Sequence, residues 1–389
     1  MVGLLDGYFD DVIFYNISRI MEHGRERNAA IFFILLLALP APAKKPRSLN
    51  WRLRPKPAAV EAEVVRSTAT AKVEPPKAMV LMSGRWTPEV REALERFIAG
   101  RGRKSPGYDA KRPPVAVIPW SDAAVAGDPA ELVFLRLVTE AGFHFGDEFW
   151  EIVPIAYGRQ PARAAYEQFV VLSSSVWRSD PTYSGYRKYM LSSYLELCRG
   201  VGRKECRSYL SRLWAGWRDD DAYDFSRQTL EREKNSSVTR EVVRSEPEDR
   251  APLRLRRGLR LIPEVRDLVA KLRAEGFDVW VIDDVPQPVL AASAADYRLD
   301  PSRVYGVHNS TDGPRMGAGV MKPVPTRGGK TEALQSLLGR PADLVFGRDA
   351  ADLELLSYGE GLRIVFDRDE ELVRRAVERG WLIQPSLAR

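Results

Sequence analysis

The sequence predicts an α/β fold: a parallel sheet covered on both faces by helices, with a large helical cap inserted after the first core strand. Three observations carry this. Short, wholly apolar runs at 115–118, 279–282, 344–346 and 364–366 read as strands buried on both faces. Amphipathic helical stretches at 265–275, 330–338, 349–357 and 370–379 lie between or beside them, and such alternation makes a parallel sheet. Residues 128–262 hold no strand series. They carry aromatic, amphipathic helical segments instead, at 186–197 and 205–217.

The apolar run at 29–39, preceded by Arg25 and Arg27, is too short for a bilayer span of about 20 residues. It suits the core of a secretory signal. Ala41-Pro42-Ala43 follows as a small-x-small cleavage site, leaving Lys44 first, and Met21 sits where such a signal begins. We therefore expect residues 1–43 to be an upstream extension and a signal-like segment (about 21–43), directing a secreted or periplasmic protein. A buried helix or a short anchor is the alternative. Residues 44–78 are rich in Pro, Ala, Lys and Glu without apolar periodicity and read as a flexible linker. The fold is expected to comprise a core from 79–127 and 263–389 and the cap at 128–262. Thr87-Pro88-Glu89 opens the first helix with a cap residue, a first-turn Pro and an early acid.

With 389 residues, 44% of them hydrophobic and 10% aromatic, the chain can bury a full core. Its net charge of +6, from 59 basic and 53 acidic residues, is mild and scattered, which argues against a nucleic-acid surface. The one dense basic run, Arg254, Arg256, Arg257 and Arg260, is interleaved with leucines and reads as a half-buried structured segment. The two cysteines, Cys198 and Cys206, are spaced for a loop between two helices and are able to pair in an oxidising compartment. Two cysteines and three histidines, widely separated, argue against zinc. The aromatics Trp150, Trp177, Trp214 and Trp217 of the cap are read as core, with a cleft lining as the other option.

The strand-to-loop segment Val115-Ala116-Val117-Ile118-Pro119-Trp120-Ser121-Asp122-Ala123-Ala124 resembles the first motif of the haloacid-dehalogenase (HAD) superfamily of phosphatases. The similarity extends to Gly127-Asp128-Pro129 at the cap entry and to 257–264 at its exit. It continues through Val279-Trp280-Val281-Ile282-Asp283-Asp284-Val285-Pro286-Gln287-Pro288, Gly328-Gly329-Lys330-Thr331 and Phe346-Gly347-Arg348-Asp349-Ala350-Ala351-Asp352. Within that superfamily the chain resembles the branch of secreted phosphoserine- and phosphorylcholine-phosphatase-like proteins. The resemblance implies a Rossmann-like parallel-sheet core and places roles on residues.

In that family the first motif supplies a nucleophilic Asp and an acid–base Asp. Here those positions resemble Pro119 and Ser121, with Ala123 at the third. A slip of one residue puts Asp122 at the nucleophile but Ala124 at the acid. The second motif ends in a phosphate-holding hydroxyl, and Asp283, which repels a phosphate dianion, stands there. Lys330 matches the phosphate-neutralising Lys and is the candidate anion-binding residue. At the Mg²⁺-holding acids, Asp352 is retained as a vestige and Arg348 replaces the first; a guanidinium there excludes a cation. Gly329-Lys330-Thr331 also ends like a nucleotide P-loop, but that pattern needs Gly at 324, where Val324 stands.

The resulting expectation is a phosphatase-fold protein without catalysis, a pseudophosphatase with a binding or structural role. No catalytic set is intact and no cofactor is expected. The first alternative is an active phosphomonoester hydrolase on a small phosphorylated metabolite, using a displaced acid such as Asp122 and Mg²⁺. The second is a non-turnover module for a small anionic or zwitterionic ligand. What marks this second alternative is whether Lys330 faces an open cleft or is tied to carboxylates; Arg348 is able to neutralise Asp283, Asp284 or Asp352. No nucleic-acid partner and no membrane span beyond the signal-like segment are expected.

Overall fold

The computed structural model describes residues 80–173 and 176–388. The signal-like segment and the linker fall outside the described residues. Helix α1 (Pro88–Arg101) starts where Thr87 Oγ1 accepts the N–H of Val90 and buries Val90, Leu94 and Ile98. Strand β1 (Val115–Ile118) leads through a tight turn to β2 (Val125–Ala126). The cap follows with α2 (Pro129–Thr139), α3 (Asp147–Ile152), α4 (Arg159–Phe169), α5 (Pro181–Gly200), α6 (Arg203–Arg212) and α7 (Asp219–Asn235). A hairpin, β3 (Thr239–Val243) and β4 (Leu253–Arg257), and then β5 (Arg260–Leu261) complete it.

The core resumes with α8 (Pro263–Ala274), β6 (Asp278–Pro286), α9 (Gln287–Ala294), β7 (Val304–Val307) and the hairpin β8 (Asn309–Asp312) and β9 (Arg315–Val320). It ends with α10 (Gly328–Leu338), β10 (Leu344–Gly347), α11 (Leu353–Tyr358), β11 (Leu362–Asp367), α12 (Glu370–Arg379) and β12 (Leu382–Pro385).

The main sheet has the order β12-β11-β10-β1-β6-β7 and is parallel throughout. Alternate residues of its strands enter different cores. Ala116, Ile118, Val279, Val281 and Phe346 face one, with Leu94 of α1 and Leu268 of α8. Val115, Val117, Trp280, Ile282 and Val345 face the other, with Leu334 of α10 and Leu355 of α11. Burial on both faces is why these strands are continuous apolar runs rather than alternating ones. Where the chain leaves and re-enters the core, β2 pairs antiparallel with β5, so cap entry and exit are zipped together.

Three features differ from the sequence expectation. The edge strands β7 and β12 were not expected; Val304-Tyr305-Gly306-Val307 and Leu382-Ile383-Gln384-Pro385 are short and broken by Gly or Pro. The cap is not purely helical, because β3 and β4 form a hairpin in which Val243 faces Leu253 and Glu241 faces Leu255. Its second strand, β4, carries Arg254, Arg256 and Arg257 of the half-buried Arg/Leu segment, while Arg260 lies in β5. The helix expected at 205–217 stops at Arg212. Trp150 and Trp214 are buried in the main core, and Trp177 and Trp217 pack half-buried against it.

Candidate functional site

The motif segments converge at the carboxyl ends of β1, β6 and β10, adjacent strands at the centre of the sheet. Open α/β sheets place their sites there. Pro119 is buried directly after β1. Trp120 then turns the chain: its carbonyl accepts the N–H groups of Ala123, Ala124 and Val125. Its indole donates to Ser293 Oγ at 2.7 Å, which pins the turn to α9.

Asp283 is the hub. It is fully buried. One carboxylate oxygen accepts the backbone N–H of Trp120 (2.8 Å) and of Ser121 (3.1 Å). Both oxygens are gripped by Arg348, through Nη1 at 2.7 Å and Nη2 at 2.8 Å. Such two-point pairing is the strong form of a charge-assisted hydrogen bond. Arg348 also donates to the Ser121 carbonyl and to Asp349. Burial pushes the Asp283 carboxyl up, but Arg348, Lys330 and Arg203 outweigh it and hold it well below the usual carboxylate range.

Lys330 is fully buried at the start of α10 and is tied to carboxylates: it pairs with Asp352 and lies 3.5 Å from Asp283. Burial disfavours its charge, yet Asp352 and Asp283 raise its pKa and keep it an ammonium. The other oxygen of Asp352 accepts the Arg348 N–H at 2.9 Å. Asp122 adopts a left-handed backbone (φ 55). Its carboxylate accepts the Gly127 N–H at 2.8 Å and pairs with Arg256 (3.2 Å) and Arg368 (2.9 Å), so it braces the loop.

The structure thus gathers Pro119, Ser121, Asp283, Lys330, Arg348 and Asp352 at one place. It adds residues that the sequence did not flag as functional. Arg203 of α6 pairs with Asp284 of β6, and with Asp349 at 2.9 Å. Arg207, one turn on, pairs with Asp128 and lies 3.6 Å from Asp284. Neither arginine follows any motif, so no sequence signal pointed to them. A cavity of about 200 Å³ remains, lined by Ser121, Asp122, Arg203, Arg348 and Asp349 among others. The Ser121 hydroxyl there is buried without a hydrogen-bond partner among the described residues.

These residues do not fit Mg²⁺, which takes an octahedron of oxygens. Pro119 offers no side-chain oxygen, both oxygens of Asp352 are engaged, and a guanidinium fills position 348. Among the described residues no cluster of His, Cys, Asp and Glu is arranged to hold a metal ion. No described helix is long and apolar enough to cross a membrane. Cys198 and Cys206 form a disulfide, with their Cα atoms 5.0 Å apart.

No protein-family model matches the sequence. A comparison with curated proteins finds no match either. Among solved structures, a conserved, functionally unknown protein from Anaerococcus prevotii shares the fold with a TM-score of 0.68 at 18% identity, over 78% of this chain and 93% of that one. A protein of unknown function from Bordetella pertussis aligns at TM-score 0.46 and 13% identity, over 70% of this chain and 98% of that one. A phosphoserine phosphohydrolase-like protein from Francisella tularensis aligns at 0.36 and 12%, over 71% and 96%. The six-stranded parallel sheet, with the segment between β1 and β6 inserted after its first strand, is an α/β fold shared with the Anaerococcus prevotii protein, and the four motif segments meet at the ends of β1, β6 and β10.

Proposed function

We propose that this protein is a pseudophosphatase: a HAD-type scaffold whose former reaction centre has become a metal-free ion-pair network. The observation that carries the reading is the two-point grip of Arg348 on Asp283. A guanidinium stands where the family holds its metal, and its charge is already spent on a carboxylate that stands where the family holds phosphate. Pro119 supplies no nucleophile. The nucleophile alone contributes many orders of magnitude to such a rate. Lys330, which matches the phosphate-neutralising Lys of that family, is committed to Asp352 and Asp283.

The role is then binding or structural. No cofactor is required, and Mg²⁺ has no seat. The cavity beside Ser121 carries both signs of charge, and a small zwitterionic or anionic ligand is the second reading. The orphan Ser121 hydroxyl favours it. Export to an oxidising compartment is part of the proposal. It is supported by the signal-like segment at 21–43 and by the Cys198–Cys206 bridge, since such bridges persist outside the reducing cytosol.

The test is hydrolysis of an aryl phosphate by the purified chain, with and without Mg²⁺, together with thermal unfolding. No turnover above background and no Mg²⁺-dependent rise in Tm are expected, because an ion that bound only the folded state would raise it. Turnover that disappears in Asp122→Asn would overturn the reading in favour of an active phosphomonoesterase. Amino-terminal sequencing of the exported protein is expected to begin at Lys44.

A further inference from the structure

Helix α8 buries one stripe of its surface, Val265, Leu268, Val269 and Leu272. The other stripe, Arg266, Ala270, Arg273 and Ala274, keeps the same helical spacing and is exposed. It forms part of the wall of a cavity of about 720 Å³. Arg266 and Arg273 stand two turns apart, about 10 Å along the axis at 1.5 Å per residue, with Ala270 between them. Asp296, Tyr297 and Arg298, which follow α9, supply more of the wall, and Met82 adds a half-exposed apolar side chain.

The charges of this wall do not cancel. Its two aspartates are neutralised by cations that do not line the cavity. Asp267 accepts the Met82 N–H at 2.7 Å and pairs with Lys271 at 2.9 Å. Asp296 pairs with Lys234 at 2.7 Å and with Arg227 at 3.3 Å. Among the described residues, the side chains of Arg266, Arg273 and Arg298 make no hydrogen bond or ion pair. Three uncompensated guanidinium groups therefore share one cavity, and their field attracts an anion. The former reaction centre is the opposite case, since Arg203, Arg207, Arg348 and Arg368 each have a carboxylate partner there. Arg298 carries a second signal. Its backbone is left-handed, with φ 53 and ψ 32, a conformation that suits glycine or asparagine and that a larger side chain disfavours. No contact of its guanidinium within the fold accounts for an arginine at this position.

We propose that this cavity is a binding site for a small organic anion. Its carboxylate, sulfonate or phosphate group is held by the arginines, and its slender apolar body lies along Ala270, Ala274 and Met82. The volume falls within the range of about 300–1,000 Å³ that small-molecule sites occupy, which favours such a ligand over the acidic surface of another protein. The cavity shares no lining residue with the one beside Ser121, so the inference stands apart from the loss of catalysis.

The test titrates the full chain with hexanesulfonate by calorimetry at low salt, and saturable binding is expected. Arg266→Ala/Arg273→Ala is expected to weaken it at least about tenfold. Arg298→Gly is expected to weaken it at least about threefold while leaving Tm equal to or above that of the parent, because glycine takes up left-handed backbone without strain. That combination separates a ligand contact from a structural one. Arg203→Gln, in the other cavity, is expected to keep the parent affinity. Sulfate, which lacks the apolar body, and hexanol, which lacks the charge, are each expected to bind at least about tenfold more weakly than hexanesulfonate. The proposal is overturned by an absence of saturable binding to the parent, by unchanged affinity in either arginine variant of this cavity, or by a loss in Arg203→Gln as large as that in the double variant. Tighter binding of sulfate or of polyglutamate than of hexanesulfonate overturns it as well. Should the double variant fail to show a cooperative melt, Arg298→Gly decides it by the same criterion.

Discussion

Replacing Arg348 with Met removes the guanidinium while keeping much of the side chain's bulk. Asp283 then loses its hydrogen bonds at 2.7 and 2.8 Å, and the Ser121 carbonyl and Asp349 each lose a donor. What remains for Asp283 is the backbone N–H groups of Trp120, Ser121 and Asp284, and Lys330 at 3.5 Å. Breaking a buried ion pair from one side costs about 3–5 kcal/mol, because a charge is left uncompensated. That is a large part of the roughly 5–15 kcal/mol that holds a typical domain folded. A fold of this size loses roughly 2 °C of Tm per kcal/mol, so a fall of roughly 6–10 °C is expected. The double variant Asp283→Asn/Arg348→Met removes both charges and is expected to recover at least half of the loss, since the two residues act as a unit. Urea unfolding and thermal melts of parent, singles and double at pH 7 give the cycle. A single Arg348→Met variant within about 1 kcal/mol of the parent would refute the reasoning, because it would mean that Asp283 does not depend on Arg348.

Further outcomes follow from the same geometry. A depressed carboxylate stabilises the fold above its ordinary pKa of about 3.9, and this is lost as pH falls through the folded value. The Tm difference between the parent and Asp283→Asn is therefore expected to stay flat from about pH 8 to 5 and shrink below about pH 4; shrinkage already at pH 6 contradicts the assignment. Glu131 has the opposite sign: burial, and then the charge of Asp128, push its pKa up, so its ionisation destabilises the fold as pH rises. Glu131→Gln keeps an acceptor for the Tyr194 hydroxyl and is expected to raise Tm at pH 8 and leave it unchanged at pH 4, as melts at the two pH values would show. Restoring Pro119→Asp, Ser121→Asp and Arg348→Asp together with Asp283→Ser is expected to create Mg²⁺-dependent stabilisation of about 2.7 kcal/mol at a hundredfold excess over Kd. A folded variant that calorimetry shows to bind no Mg²⁺ would place the metal motif elsewhere. Finally, a Cβ at Gly329 would sit 1.8 Å from the Val324 carbonyl oxygen, whereas one at Gly328 meets nothing within 4 Å. Gly329→Ala is expected to cost about 1–3 kcal/mol in urea unfolding, with Gly328→Ala near neutral.

The central strands and their flanking helices were legible because each is fixed by its own composition. A strand buried on both faces must be apolar throughout, and 115–118, 279–282, 344–346 and 364–366 meet that demand without reference to any partner. Thr87, Asp128 and Asp369 likewise announce their helices locally, each capping the first turn with its own side chain. The order of the motif segments was also legible, and with it the fold.

The sheet edges were not legible, because an edge strand tolerates the Gly and Pro that obscure β7 and β12. The cap hairpin escaped because the alternation of Arg and Leu at 253–257 states a half-buried strand without naming its mate, Thr239–Val243. The eight-residue spacing permits a cysteine bridge, and only the corner between α5 and α6 brings the Cα atoms to 5.0 Å. In the sequence Asp283 is an acid where a hydroxyl belongs, and its only readable property is repulsion of phosphate. Folding brings Arg348 from 65 residues away against it and makes it the anchor of the Trp120 turn. Arg203, 81 residues from Asp284, has no local signature at all. Apolar pattern is a property of neighbouring residues, whereas a charge acquires its meaning from whatever the tertiary fold places within a few ångströms of it.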